Sequence, residues 1–171
     1  MPPRLAEAVC QERKNAMARA TVARKFAAPA DAVWQYVRWH GVAKLDQYSG
    51  DFFEKIEFDG DVEQVGITKT IYPYGGHPIL ERLEELNVAE RSYRYRLLDV
   101  GDLPVTDYCG YVRVTPAGPG ACHLKIECEF TPVGVTADVW EQTWTEMETR
   151  LMDEISRLVE NIAPDARAVA A

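Results

Sequence analysis

The chain has 171 residues, of which 47% are hydrophobic and 10% aromatic, and its formal net charge is −8. This length fits one domain with a sizeable core, and the apolar content excludes a disordered chain. The acidic balance argues against nucleic acid as a partner, because neutralising phosphates requires a basic surface. No run approaches the roughly 20 apolar residues of a membrane helix, and the N-terminus lacks the apolar core of a secretory signal. We therefore expect a cytoplasmic protein that does not insert into membranes.

The first part of the chain predicts a lead, a strand and two short helices. Residues 1–19 form a charged, Ala-rich lead, either helical or disordered. Residues 20–28 alternate well enough for a first strand. A helix then opens with Pro29 near its first turn, and its apolar stripe breaks near Gly41. This break favours two short helices over one long helix.

From residue 52 the hydrophobic period switches to two, which indicates six further strands. These segments, separated by turn-forming Gly, Asp and Pro, are 52–58, 67–72, 79–86, 91–98, 107–114 and 122–130. In the last segment apolar residues alternate with polar or charged ones, which is typical of a half-buried antiparallel strand.

The last predicted element is a long amphipathic helix over roughly 136–162, ended by Pro164. The element order predicts an α+β domain in which a curved, seven-stranded antiparallel sheet grips the C-terminal helix. We expect this domain to span residues 20–163, followed by a tail over 164–171. The space between sheet and helix is the natural place for a ligand.

The cysteines favour core packing over redox or metal chemistry. Cys10, Cys109, Cys122 and Cys128 form no C-x-x-C pair, and free thiols are normal in a reducing compartment. No His or Cys pair has metal-ligand spacing, and no Gly-rich phosphate cradle or nucleophile turn is present. The sequence therefore predicts neither a metal nor a cofactor.

Three segments carry a resemblance to a known superfamily. They are PADAVWQYV after the first strand, GITKTIYPYGGHPILERLEELNVAERSYRYRLLD in the middle, and YCGYVRVTPAGPGACHLKIECEF before the final helix. Over residues 21–162 the chain resembles the SRPBCC superfamily, which includes START domains, polyketide cyclases and birch-pollen-allergen-like proteins. The resemblance implies the helix-grip fold and a hydrophobic small-molecule ligand. It does not fix the function, because members carry ligands, cyclise polyketides, or act as dehydratases, isomerases and co-chaperones.

The middle block is most similar to the cyclase branch that includes lachrymatory-factor synthase. That branch places an Arg on the strand after a Val-Gly turn and a Glu on the next strand, both inside the cavity. The corresponding residues are Lys69, which follows Val65-Gly66, and Glu81. The resemblance therefore implies that Lys69 and Glu81 are catalytic. Lys in place of Arg removes bidentate anion recognition and leaves a point charge or a tunable amine.

The residues themselves leave two placements open for Lys69 and Glu81, a solvated ion pair on the hairpin surface or a pair inside the cavity. A turn centred on Gly75 sets Lys69 opposite Glu81, whereas a turn centred between Gly75 and Gly76 sets it opposite Arg82, a disfavoured like-charge pair. In the attractive register the same-face neighbours are apolar, namely Ile67, Ile71, Ile79 and Leu83. We therefore predict that the pair faces the cavity.

Further candidates for the cavity wall come from the tyrosines, the last strand and one face of the long helix. The predicted ligand-binding residues are Tyr93, Tyr95, Tyr108, Ile126, Trp140, Trp144, Met147 and His77. Tyrosines offer hydroxyls to a phenolic or carbonyl ligand, and alternation admits only one of Tyr108 and Tyr111, of which we favour Tyr108. His77, in the hairpin turn, could shuttle protons at the cavity mouth. Core packing is the alternative for the aromatic residues, and a solvated surface for His77.

Three functional hypotheses remain open. The first is a cofactor-free cyclase, dehydratase or isomerase of a polyketide-like or other hydrophobic carbonyl compound, in which Lys69 stabilises an enolate or oxyanion and Glu81 moves the proton. The second is a carrier that binds a lipid or aromatic ligand without turnover. The third is an interaction or co-chaperone domain. A titratable pair inside the cavity favours the enzyme, and an entirely apolar cavity favours the carrier. We expect a monomer or homodimer.

Overall fold

The structure, a computed structural model, describes residues 17–45 and 53–160. Nearly all of the predicted lead and the whole predicted tail lie outside the described residues. The elements are β1 (Ala18–Phe26), α1 (Ala30–Val37), β2 (Lys55–Phe58), β3 (Thr68–Tyr72), β4 (Ile79–Asn87), β5 (Ser92–Asp99), β6 (Val105–Pro116), β7 (Cys122–Pro132) and α2 (Ala137–Glu160). The chain leaves the helical conformation after Val37 and is helical again at residues 43–45, in agreement with the predicted break near Gly41. None of the described helices has the length and apolarity needed to cross a membrane.

The strands form one seven-stranded antiparallel sheet in the order β1-β7-β6-β5-β4-β3-β2. The predicted α+β architecture, a curved sheet around a long C-terminal helix, is confirmed. Two strands begin earlier than their sequence patterns suggested, and β1 starts at Ala18 rather than at residue 20. β6 starts at Val105 rather than at residue 107, since Val105 and Thr106 already pair with β7. Asp107, with a φ of 52°, lies in an irregularity that separates this pairing from the pairing that resumes at Cys109.

The long helix α2 packs mainly against β1 and β7. Asp138 lies in its first turn, where a carboxylate favours the positive end of the helix dipole. On the sheet side of this contact, Phe26, Leu124 and Phe130 are each 0% exposed. Close packing of this kind supplies most of the stability of a small domain, because apolar burial is the main favourable term in folding.

At its other end the sheet extends past the helix. β5, β4 and β3 lie progressively farther from β7 in the strand order, whereas α2 packs against β7 and β1. The segment after α1 covers part of the uncovered surface, and Trp39 packs edge-on against Tyr93 with ring centroids 6.0 Å apart. A space therefore remains between α2 and strands β3 to β6.

Two of the cysteines belong to the packed core. Cys122 and Cys128 are buried free thiols, and burial raises their pKa values to about 11 and about 12. Thiols of this kind stay protonated and are poor nucleophiles. Cys109 is a half-buried free thiol, and Cys10 lies outside the described residues. Within residues 17–45 and 53–160 no cluster of His, Cys, Asp or Glu is arranged to hold a metal ion.

Candidate active site

A cavity of about 350 Å³ occupies the space between α2 and the sheet. This volume is at the lower end of the range for small-molecule sites. Most of the predicted ligand-binding residues line its wall, namely Tyr93, Tyr95, Tyr108, Ile126, Trp140, Trp144 and Met147. The wall is mainly apolar, and its charged members are Lys69, Glu81, Glu148 and Arg150.

Lys69 and Glu81 face each other across the β3–β4 hairpin. They are direct partners in the strand register, which confirms the predicted turn centred on Gly75. The Lys69 Nζ lies 3.1 Å from Oε2 of Glu81, and the two residues are only 4% and 8% exposed. The ion pair thus lies inside the cavity rather than on the solvent-exposed face of the hairpin. Removing two charges from water costs free energy that their attraction only partly returns, so stability alone does not explain the pair.

Trp39 is a neighbour of this ion pair that the sequence analysis missed. The Lys69 Nζ lies 4.1 Å from the centroid of the Trp39 ring and 5.9 Å from that of Tyr95. The negative face of an aromatic ring stabilises an ammonium group that has lost its water. An ammonium group has three N–H donors. With one directed to Glu81 and one to the Trp39 face, a third can reach a ligand oxygen.

Two buried tyrosines, Tyr93 and Tyr108, and the half-buried Tyr95 supply neutral hydroxyl groups to the cavity region. The indole N–H of Trp144 donates a hydrogen bond of 2.9 Å to the Tyr108 hydroxyl, which lies 3.4 Å from that of Tyr95. The Tyr93 hydroxyl donates to the carbonyl of Val37 at 2.9 Å. Burial raises the pKa values of Tyr93, Tyr95 and Tyr108 well above the usual range, so all three remain protonated.

The choice of Tyr108 over Tyr111 as the inward residue agrees with the structure. Tyr108 is 4% exposed and lines the cavity, whereas Tyr111 lies on the opposite face of β6, under the guanidinium of Arg94 at 5.1 Å. Gly110, between the two, pairs with Tyr95 of β5, and an added Cβ at Gly110 would overlap the Tyr95 ring. The absence of a side chain at Gly110 therefore allows Tyr95 to lie over β6.

Glu148 is a second carboxylic acid in the wall, and the sequence analysis missed it as well. It reaches the cavity from α2, one turn after Trp144. Burial, and then the nearby charge of Glu81, raise its pKa to about 7, against a smaller opposite effect of Lys69. The sequence does contain a signal for the inward position of Glu148. Glu148 follows Trp144 by four residues and precedes Leu151 by three, so a carboxylate interrupts the apolar stripe of the helix.

The structure corrects the prediction that His77 is a ligand-binding residue. Its side chain is 81% exposed, and it is not part of the cavity wall. The Asp102 carboxylate accepts hydrogen bonds from the His77 backbone N–H at 2.8 Å and pairs with Nδ1 at 2.6 Å. These contacts hold the hairpin turn against the β5–β6 loop, on the surface. His77 therefore ties two loops together instead of contacting a ligand.

Comparison with known proteins supports the superfamily resemblance. The model of the family described as polyketide cyclase / dehydrase and lipid transport matches residues 17–163. A curated relative, S-norcoclaurine synthase from Thalictrum flavum subsp. glaucum, is 30% identical over 111 residues, which are 62% of this chain and 53% of that protein. The match thus spans about half the length of the relative.

Solved structures show the same fold. Norcoclaurine synthase from Thalictrum flavum, in complex with dopamine and hydroxybenzaldehyde, matches with a TM-score of 0.67 and 25% identity over 88% of this chain and 90% of that one. The protein XoxI from Bacillus cereus matches with a TM-score of 0.71 and 20% identity over 85% and 98%. At that identity the XoxI match concerns the fold alone. The predicted helix-grip fold is confirmed.

Proposed function

Because the chain belongs to the polyketide cyclase / dehydrase and lipid transport family, we propose that it is an enzyme acting on a hydrophobic carbonyl compound bound in the cavity. Lys69 donates a hydrogen bond to the carbonyl oxygen, and Glu81 moves a proton at the neighbouring carbon. Cyclisation, dehydration and isomerisation of such compounds share this step, because each can proceed through an enolate or a related oxyanion.

The observation that carries this proposal is the buried ion pair. A protein that only stores an apolar ligand has no use for Lys69 and Glu81 at 4% and 8% exposure. Breaking such a pair, or burying it without a ligand role, is unfavourable. A cation aimed into a dry cavity instead stabilises negative charge far more than it would in water, because the surrounding dielectric is low.

The geometry of the pair suits each of these roles. Glu81 orients the ammonium group at 3.1 Å, and the Trp39 ring supports it at 4.1 Å, so the remaining donor of Lys69 is held in a fixed direction. A donor aimed at a developing oxyanion contributes about 3 kcal/mol in other enzymes. Glu81, adjacent to that donor, lies within reach of a proton on the carbon next to the carbonyl group.

The named relative supports a carbonyl ligand with an aromatic ring. The solved norcoclaurine synthase holds an aldehyde, hydroxybenzaldehyde, together with an alkylamine that carries an aromatic ring, dopamine. In the present chain the wall contains Tyr95, Tyr108 and Trp144, whose rings can pack against an aromatic ligand while a tyrosine hydroxyl binds one of its oxygens. Because the sequence match covers only 53% of that relative, its particular reaction is not assigned to this protein.

A carrier function is the second candidate, and one observation favours it. Apart from its few charged members, the wall is made of apolar side chains, including Val37, Leu97, Val112, Ile126 and Leu151. Such a surface binds a lipid or aromatic ligand through burial alone.

Deuterium exchange separates the two candidates. Phenylacetone in D₂O exchanges the protons next to its carbonyl group, and NMR measures the rate. We expect the protein to accelerate this exchange, and Lys69→Met and Glu81→Gln each to reduce the acceleration by roughly 100-fold. Lys125→Met is the matched control, because Lys125 pairs with Glu127 at 3.0 Å on the outer face of β7. Quenching of tryptophan fluorescence by phenylacetone without accelerated exchange would favour the carrier and contradict the enzyme.

A further inference from the structure

The cavity wall contains a buried indole N–H group that has no hydrogen-bond partner. Trp140 lies near the start of α2, is 3% exposed and lines the cavity. Within residues 17–45 and 53–160, no atom accepts a hydrogen bond from its Nε1. Buried indole N–H groups usually have a partner, because an unpaired donor that is removed from water costs free energy. The unpaired donor of Trp140 therefore requires an explanation.

The described neighbours of Trp140 do not satisfy this donor. Trp144, four residues later on the same face of α2, directs its own indole N–H to the Tyr108 hydroxyl at 2.9 Å. The Trp140 ring instead meets the ring of Phe130, with centroids 6.3 Å apart and planes at 72°. A contact between an N–H group and an aromatic face is much weaker than a hydrogen bond to oxygen. The Trp140 donor therefore remains available to an acceptor from outside the chain.

Its place in the cavity wall distinguishes Trp140 from two other tryptophans with unpaired indole nitrogens. The Nε1 atoms of Trp34 and Trp39 are also buried without a partner among the described residues. Neither of these two residues belongs to the cavity wall. Trp34 packs against the Tyr93 ring at 6.1 Å, and Trp39 covers the Lys69 ammonium group. Of the three, Trp140 is thus the one whose side chain a ligand in the cavity touches.

Lys69 and Trp140 contribute to opposite ends of the cavity. Lys69 belongs to β3, whereas Trp140 packs against Phe130 of β7, and three strands lie between β3 and β7. Neighbouring strands are about 4.8 Å apart. The Lys69 Nζ extends toward β5, where it lies 5.9 Å from the centroid of the Tyr95 ring. A ligand that contacts both donors is therefore elongated, with a ring or a chain between its two acceptors.

We infer that Trp140 is a specificity-determining residue, whose indole N–H binds a second oxygen of the ligand at the end remote from the carbonyl group that Lys69 holds. Because an indole only donates, the ligand group at that end must accept a hydrogen bond. The nitrogen is buried, so a small turn of the Trp140 ring toward the cavity space accompanies the contact. The inference rests on the proposed binding of a carbonyl compound at Lys69, but not on its turnover.

The first experiment observes the indole group itself. NMR of protein labelled with ¹⁵N at the indole nitrogens follows the side-chain N–H groups of the 4 tryptophans. The probes are 4-acetylphenylacetone and 4-isopropylphenylacetone, which are similar in shape, but only the acetyl compound has an acceptor at the remote end. We expect the acetyl compound alone to move the Trp140 proton downfield, and the Trp144 proton to respond equally to both. The proximity of the Phe130 ring identifies the Trp140 resonance.

The second experiment measures the preference between the two ketones. Calorimetry gives the affinity of each ketone, and the ratio of the two affinities isolates the hydrogen bond, because both ketones lose the same ring contact in Trp140→Phe. We expect this substitution to lower the preference for the acetyl compound roughly 10-fold. Trp34→Phe is the matched control, since it removes an equally buried, unpaired indole nitrogen outside the cavity wall, and it should leave the ratio unchanged.

The outcomes separate this inference from the function on which it rests. If both ketones bind but Trp140→Phe leaves their affinity ratio unchanged, or if both move the Trp140 proton equally, the role of Trp140 is overturned and the carbonyl site at Lys69 stands. If neither ketone binds to the wild type, the proposed function fails, and the role of Trp140 fails with it. Should Trp140→Phe not fold, the NMR comparison decides alone, because it uses the wild-type protein.

Discussion

The two ends of the sheet use the same alternation of side chains for different purposes. At the closed end, which we define as β1 and β7 with the part of α2 that covers them, inward positions carry Phe26, Leu124 and Phe130, each 0% exposed. At the open end, which we define as β3, β4 and β5 around the cavity, inward positions include Lys69 and Glu81. The helix fills the first end and leaves space at the second. The closed end therefore supplies stability, and we assign chemistry to the open end.

The largest effect on stability is expected at the closed end. Leu124→Ala removes buried atoms where the packing leaves little room for collapse, so the free energy of unfolding should fall by about 4 kcal/mol. Urea denaturation measures this change. Leu124 is not part of the cavity wall, so phenylacetone exchange per folded molecule should stay close to that of the wild type. A loss of stability below about 1 kcal/mol would mean that this end is not the tightly packed core we describe.

At the open end, a charged pair should contribute little net stability. Lys69→Met leaves Glu81 buried without its partner and should lower the free energy of unfolding by about 3 kcal/mol. The double variant Lys69→Met/Glu81→Leu removes both charges and should recover most of that loss while remaining inactive. Urea denaturation of the two variants makes the comparison. If the double variant is less stable than Lys69→Met, the pair is a stabilising element and the contrast between the two ends fails.

Glu148 should make the open end sensitive to pH. The folded protein holds a proton on Glu148 up to about pH 7, whereas the unfolded chain releases it near the ordinary value of 4.5. The free energy of unfolding should therefore fall as pH rises between these values and level off above them. Glu148→Gln removes this dependence and should be more stable than the wild type by about 3 kcal/mol at pH 8, with no difference at pH 4. A difference that does not change with pH contradicts the raised pKa of Glu148.

The smallest expected effect concerns the position of Tyr95. Gly110→Ala places a methyl group where the Tyr95 ring lies, so the ring must move, at a cost of about 2 kcal/mol in stability. Because Tyr95 lines the cavity, affinity for phenylacetone should change too. Gly120→Ala is the control, since an added Cβ there meets nothing within 4 Å. Equal stability of the two variants would show that Tyr95 has room to shift.

The fold and the ion pair were predictable because each depends on a local rule. The switch to period two at residue 52 and the return to helical spacing near 137 define the sheet and the gripping helix. Strand pairing energetics then favour the register that sets Lys69 opposite Glu81. Because the neighbours of this pair on the same face of the hairpin are apolar, that face is predicted to point into the cavity. The assignment of the superfamily, by contrast, came from the resemblance of whole segments.

The rest of the site depends on packing between distant segments. Trp39 lies just after α1, outside its helical stripe, and only the folded chain shows that its ring covers the Lys69 ammonium group. Glu148 interrupts the apolar stripe of α2, but the stripe alone does not say that a cavity lies opposite. The predicted role of His77 failed for the same reason, because its partner Asp102 comes from another loop and holds the turn on the surface.

The central claim is that a ligand carbonyl group meets Lys69 inside the cavity. Infrared difference spectroscopy of phenylacetone labelled at its carbonyl carbon measures this contact directly, because a hydrogen bond from a buried ammonium group weakens the C=O bond and lowers its stretching frequency. We predict a lower frequency in the wild-type protein than in Lys69→Met, with Lys125→Met behaving as the wild type. The same carbonyl frequency in wild type and Lys69→Met, with phenylacetone bound to both, would contradict the account.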